Sequence, residues 1–203
     1  MIAYSFYLAA IAMIIFVVQF AINGFTEQFV LVSDEVTARP WTLLTSVFLH
    51  GSLQHLLSNL FALVFFGLIL ESIVGSKRFI AIFLLTGLLA GIASIFLYNA
   101  TLGASGAIFG IIGVLAAIRP RMAVYALGIP MPMFVAAIVW ALFDLAGLFY
   151  PSDIANLAHL AGLVSGVVIG FVIKDGFREA KRIKEKILTK KELDEWDEKY
   201  MGK

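Results

Sequence analysis

Six apolar runs, each close to the thickness of a bilayer, leave this chain few folds to choose from. They lie at about 4–23, 53–73, 79–98, 103–118, 131–149 and 155–173. A helix needs roughly 20 mostly apolar residues to cross hydrocarbon, where each backbone polar group must find its partner inside the segment. The expectation is an all-α membrane protein with six transmembrane helices. Composition agrees, with 61% hydrophobic residues, 14% charged and a mean hydropathy of +0.96, against about half apolar and a quarter charged in soluble domains. The first run lacks a basic leader and a clean small-residue cleavage site, so it is expected to stay as a helix. The fourth is only 16 residues, about 24 Å of helix. A helix that starts below the membrane surface, with its first residues in a water-filled recess, would account for that.

Charge orders the runs across the membrane. Ten of the fifteen Lys and Arg fall after residue 173, so 1–173 is read as one membrane core and 174–203 as a charged, helix-prone tail. In that tail Thr189 and Glu192 have the spacing of a capping box. Lys77 and Arg78 separate the second and third runs, and Arg119 and Arg121 the fourth and fifth. The opposite loops carry Arg39 against Glu27, Asp34, Glu35 and Asp153. The positive-inside rule then places both termini in the cytoplasm, and the second, fourth and sixth helices run inward from the outer face. The tail is expected at the cytoplasmic surface of the bilayer, as a solvated helix or drawn to anionic lipid. The basic residues form no face of a soluble module, which argues against nucleic acid. With no cysteine, disulfides and thiolate nucleophiles are excluded.

This orientation brings the unusual polar residues to one depth. His55 and Asn59 fall in the first two turns of the second helix, Ser105 in the first turn of the fourth, and His159 in the second turn of the sixth. Such groups are costly in lipid and mark function or a specific helix contact. His55 and Asn59 are four apart and share a face, as do Ser105 and Phe109. Taken singly, Ser105 reads as a cap or packing residue and Asn59 as an interhelical bond; the shared depth favours a single site. Gly106-xxx-Gly110 in the fourth helix and Gly162-xxx-Gly166-xxx-Gly170 in the sixth would let two backbones approach closely. Gly87-xxx-Gly91 offers the third helix the same device.

The chemistry of acyl transfer assigns roles to these residues. A serine hydroxyl needs a neighbouring base, and His159 is the candidate base and later acid. The oxyanion needs fixed donors, which His55, Asn59 and the Ser105 backbone N–H can supply, with the positive end of the fourth helix beside them. Metal hydrolysis would need ligand spacing such as H-E-x-x-H, which is missing. His50, His55 and His159 have no carboxylate or second close ligand pair to complete a zinc set. No cofactor is required. A transporter would show internal repeats and midplane polar groups, and none is seen.

Gly103-Ala104-Ser105-Gly106, Ala158-His159-xx-Gly162-xxx-Gly166 and His50-xxxx-His55-xxx-Asn59, in this arrangement on alternate helices, resemble the rhomboid family of intramembrane serine proteases. The likeness spans about 39–174, and Gly67-xxx-Glu71-xxx-Gly75 fits it too. It implies a six-helix rhomboid-type bundle with a partly embedded loop between the first two helices, and a Ser105–His159 dyad without the acidic member of a triad. His50, Gly103, Gly106, Phe109 and Gly162 would support that site. The activity implied is cleavage of transmembrane segments of other membrane proteins near the outer face, with small residues at the cut and helix breakers nearby. Substrate would approach by the fifth helix and the loop after it, which contains Pro151. The expected setting is a prokaryotic cell membrane. The alternative is a silent rhomboid-like protein that binds membrane-protein partners; its usual mark, loss of the Ser or the His, is missing here.

Two departures and one puzzle accompany the resemblance. Phe109 stands where many relatives carry a tyrosine, so a ring can still pack on His159 but a hydroxyl bond cannot form. Arg39 lies two residues before Trp41, earlier than in the family's Trp-Arg pattern, and is expected to brace the loop from there. Asp144 lies near the outer end of the fifth helix, at the depth of His159. It could bond a neighbouring helix, tune the histidine or face a water-filled gap. A structural interhelical bond is the expected role, since polar residues commonly join transmembrane helices.

Overall fold

The computed structural model describes the backbone of residues 3–150 and 154–200, with side chains omitted at 175, 177–189, 191 and 200. Pro151 and Asp153 fall outside the described residues. In chain order the elements are α1 (Tyr4–Ala21), α2 (Phe25–Phe29), β1 (Leu31–Val32), α3 (Thr42–Thr45), α4 (Leu53–Val74), α5 (Ser76–Ser94), β2 (Ala100–Thr101), α6 (Ser105–Ile118), β3 (Ala123–Ala126), β4 (Ile129–Pro132), α7 (Met133–Gly147) and α8 (Asn156–Tyr200). Short 3-10 turns at Ser33–Glu35 and Ser46–Phe48 complete the α1–α4 connection.

Each of the six apolar runs is a helix. Four are long and apolar enough to cross a membrane: α1, α4, α5 and the first part of α8, to Lys174. The other two, α6 and α7, have 14 and 15 residues, or about 21 and 23 Å. Phe20, Phe61, Phe96 and Phe149 are each at least 74% exposed. In water such an apolar exterior would be an aggregation surface; in lipid it is the ordinary outside of the molecule. The protein is an integral, multi-pass membrane protein.

At the centre stands α6, ten of whose fourteen residues are buried, packed by α4, α5, α7 and α8. Lipid is as apolar as the core, so helices associate here by close packing rather than by escape from water. The glycines make that possible. A Cβ on Gly162 would lie 2.0 Å from the Gly106 carbonyl oxygen, and one on Gly166 2.0 Å from that of Gly110. One on Gly113 would lie 2.2 Å from the Leu163 oxygen. The α6–α8 contact is thus backbone on backbone. On its other side α6 meets α5, where a Cβ on Gly110 would fall 2.2 Å from Thr86 Oγ1.

A single carboxylate organises the opposite end. Glu71, in the last turn of α4, accepts from the Tyr4 and Ser5 backbone N–H groups at 2.9 and 3.0 Å and from Ser76 Oγ at 2.7 Å. It therefore sits at the starts of α1 and α5 together, where free N–H groups and the helix dipoles favour a negative charge. Gly75, between α4 and α5, takes a left-handed φ of 82° that lets the chain reverse there.

The α1–α4 connection is tied down at several points. β1 pairs antiparallel with β2 (Leu31 with Thr101, Val32 with Ala100), joining this loop to the one that leads into α6. Arg39 donates to the Glu27 carbonyl and pairs with Glu35, contacts within this loop that include an exposed pair worth little in stability.

The structure departs from the sequence reading in three places. The helix after the third loop starts at Ser105, two residues inside its apolar run, because Gly103 and Ala104 are taken up in the turn that delivers it. Residues 120–130, read only as a basic connection, and Met131 and Pro132, read as the start of the fifth helix, contain the β3–β4 hairpin, turned at Leu127 and Gly128 with φ of 54° and 78°, the left-handed pair of a tight hairpin. Finally, α8 runs unbroken across 173 and 189 to Tyr200. Thr189 therefore begins no helix and the capping box is not used. Residues 177–192 contain no Gly or Pro and several strong helix formers, so nothing interrupts the helix there.

Candidate active site

The turn before α6 is built to present Ser105. Gly103 has φ 119°, a conformation closed to most side chains, and its N–H donates to the Ser46 carbonyl at 2.9 Å. A Cβ there would also stand 2.7 Å from Cε1 of His55. Glycine is thus required twice over, by the backbone and by the ring beside it. The first helical bond runs from Ile108 N–H to the Ala104 carbonyl, so the N–H groups of Ser105, Gly106 and Ala107 have no intrahelical acceptor.

Ser105 Oγ lies 2.8 Å from His159 Nε2. The His159 ring is stacked on Phe109, with centroids 4.4 Å apart and planes within 7°. A phenylalanine therefore keeps the ring contact expected of it. The separation of the two helices at this level is set one turn below by Gly162 against the Gly106 backbone. Gly106 also meets α5, where its Cβ would fall 2.5 Å from that of Ala90.

Asp144 bears out the expected interhelical bond and shows which neighbour it reaches. It does make an interhelical bond, from α7 to α8, but its partner is the imidazole itself: Oδ1 lies 2.9 Å from His159 Nδ1. Side-chain exposure is 12% for the histidine and 8% for the aspartate. Shared depth with His159 was the signal, and the expectation of an acid-free pair set it aside.

His55 brings its ring against Gly103, two residues before Ser105. Its own N–H is capped by Ser52 Oγ at 3.1 Å, and its carbonyl accepts from Asn59 Nδ2 at 2.8 Å. Asn59 is buried and spends one of its two amide hydrogens on its own helix; Oδ1 has no partner among the described residues. His50 sits behind His55, ring centroids 5.1 Å apart, and is 2% exposed. Its Nδ1 lies 3.3 Å from the Phe48 carbonyl. Burial, reinforced by the neighbouring His55, lowers its pKa to about 4.

Sequence reasoning missed Gln19, near the end of α1. Its Oε1 accepts from the His50 N–H at 3.0 Å and its Nε2 donates to the His50 carbonyl at 3.3 Å, so a side-chain amide stands in for a peptide and holds the strand-like turn before α4. The available signal was a lone amide in an otherwise apolar segment. Tyr98 was also missed; its hydroxyl accepts from the Leu157 N–H at 3.1 Å, capping the start of α8.

A cavity of about 30 Å³ opens beside Ser105 between Ser46, Ser94, Thr101, Gly103 and Ala155, room for a water with polar partners. Chemically, the arrangement pairs a hydroxyl with an imidazole in a largely buried setting, near unspent backbone donors at a helix start. That is the equipment for activating a nucleophile and stabilising an oxyanion.

Comparison with known proteins shows the family. The Rhomboid domain family matches residues 37–175. Over 136 residues the chain is 33% identical to RHOMBOID-like protein 4 of Arabidopsis thaliana, covering 66% of this chain and 34% of that protein. It is 37% identical over 130 residues to the rhomboid protease GluP of Bacillus subtilis (62% and 24%). With the mitochondrial rhomboid protein 1 of Saccharomyces cerevisiae it shares 25% over 171 residues (78% and 49%). The match spans half or less of each of these relatives. The family match over residues 37–175 takes in Ser105, His159, His55, Asn59 and the glycines between α6 and α8, and on that match the chain belongs to the rhomboid family.

Proposed function

We propose that the protein is an intramembrane serine endopeptidase that cleaves transmembrane segments of other membrane proteins near the outer face. The observation that carries this reading is the 2.8 Å approach of Ser105 Oγ to His159 Nε2, across two helices held together by glycine. In the reaction, Ser105 Oγ attacks the scissile carbonyl as His159 takes its proton. The tetrahedral oxyanion is received by the Ser105 N–H, with His55 and Asn59 as further donors. His159 then protonates the leaving amine, and water from the outer face hydrolyses the acyl-enzyme. Proton transfer of this kind contributes about 10²–10⁴-fold, and each oxyanion donor about 10²–10³-fold.

The reading includes six spans, with α6 and α7 as the two short ones. Both termini lie in the cytoplasm, the α1–α4 loop is partly embedded, and the tail from residue 174 continues α8 beyond the membrane. The rhomboid protease GluP among the relatives supports an active enzyme, and retention of both Ser105 and His159 speaks against a silent partner-binding form. The test is cleavage of a single-pass substrate by purified protein in detergent, with Ser105→Ala and His159→Ala beside wild type. Cleavage lost in both folded variants is the expected result. A folded wild type that cleaves none of several substrates would transfer the chain to the partner-binding class, and cleavage surviving Ser105→Ala would remove the nucleophile.

A further inference from the structure

We propose that Asp144 is the positioning residue of this site, holding His159 in the tautomer that leaves Nε2 free to accept the Ser105 proton. The inference rests on the protease reading and adds a third member to a site expected to have two.

The argument is one of hydrogen-bond capacity. Each ring nitrogen of His159 has one partner, Asp144 Oδ1 at 2.9 Å and Ser105 Oγ at 2.8 Å. An ionised carboxylate only accepts, whereas a hydroxyl can donate or accept. In the neutral ring the Nδ1 atom must then carry the hydrogen, and Nε2 is the acceptor facing Ser105. Without the carboxylate nothing at Nδ1 chooses between tautomers, and the Nε2–H form cannot act as base toward Ser105.

The surrounding structure serves the same end. Asp144 is buried, and its second oxygen has no partner among the described residues, among which the one bond of its side chain is to His159. A carboxylate at this depth is costly unless paired. Asp144 lies in the last turn of α7, and a Cβ on Gly147 would lie 2.6 Å from Asn156 Nδ2, so the end of α7 abuts the start of α8. Phe109 fixes the ring plane. Imidazole orientation is thus determined by three contacts from two helices. In turnover the Ser105 proton passes to Nε2 while Oγ bonds to the carbonyl carbon. The same proton then goes to the leaving nitrogen as the C–N bond breaks. Asp144 stays ionised and stabilises the imidazolium between the two transfers, as in the serine-protease triad.

The experiment uses the full chain labelled with ¹⁵N-histidine in detergent, His159 being assigned by comparison with His159→Gln. Wild type should show neutral His159 protonated at Nδ1. Asp144→Asn and Asp144→Leu should lose that preference and lower kcat on the order of 100-fold or more, with KM little changed, and Asp144→Glu should recover part of the rate. Wild-type His159 protonated at Nε2 would overturn the proposal even if no Asp144 variant folds. So would a folded Asp144→Asn with wild-type kcat. A wild type that cleaves nothing, yet shows the Nδ1–H tautomer lost on Asp144→Asn, would defeat the protease reading and uphold the positioning role.

Discussion

Replacing Gly162 by alanine tests the claim that backbone contact sets the Ser–His distance. The added Cβ would lie 2.0 Å from the Gly106 carbonyl oxygen, and ordinary contact begins near 3.4 Å. The obstacle is peptide backbone on both sides, so no side chain can swing away. Relief requires α8 to move from α6 by about 1.4 Å, the difference between those two distances. Gly106 follows Ser105 directly, and His159 lies less than one turn from Gly162. Transmitted in full, the movement opens the 2.8 Å Ser105–His159 approach to about 4 Å, beyond hydrogen-bond reach. Misplacement by about 1 Å can cost 10²-fold in rate, and overpacking costs about 1–3 kcal/mol. The expectation is a kcat lowered about 100-fold together with a lower melting midpoint, read by cleavage of a single-pass substrate and by thermal unfolding in the same detergent. Gly176→Ala, where nothing lies within 4 Å of the new Cβ, should leave both unchanged. A Gly162→Ala protein with kcat within about threefold of wild type and an unshifted melt would refute the reasoning.

Glu71→Ala should lower stability by about 3 kcal/mol or more, since it strips the acceptor from two backbone N–H groups at the start of α1 and from the Ser76 hydroxyl at the start of α5. The folded fraction should keep its kcat; Glu71→Gln should fall between, and an unshifted Glu71→Ala melt would contradict the capping account. His50, with a pKa of about 4 in the fold against about 6.5 unfolded, gives a pH signature. The unfolded chain takes up the proton more readily, so His50's contribution is fully present above about pH 6.5 and is lost as pH falls toward 4. The amount is about 3 kcal/mol. Melting midpoints measured across that window should fall less steeply in His50→Phe than in wild type; equal slopes would mean the ring is not buried neutral.

The helices were legible because each is a run of apolar residues near bilayer length, and their approximate ends followed from Ser, Gly and charged residues. His159 and Ser105 were legible because both stood at one depth on helices carrying glycine at matching spacing. What escaped depends on pairings that periodicity does not encode. The β3–β4 hairpin turns on Leu127, a residue that seldom adopts left-handed φ. Gln19 becomes informative only when α1 is seen to end beside His50. Asp144 was placed at the right depth, but depth alone does not say which face of α7 it occupies. Thr189 erred in the other direction, because a local capping pattern meant nothing inside a helix already under way.

The attachment of α1 has a consequence for how such a protein tolerates change. The family likeness begins at residue 37, after α1, yet both groups that fasten this helix, Glu71 at its start and the His50 backbone near its end, belong to the matched region. The matched core thus provides the sockets and the first helix the plugs. At the Glu71 socket the plug includes two peptide N–H groups, which any sequence except one with proline there can offer. The His50 socket asks only for one amide of the right reach. Between these fixings the lipid-facing residues of α1 are answerable to the bilayer alone, so this helix can diverge in sequence while holding its place.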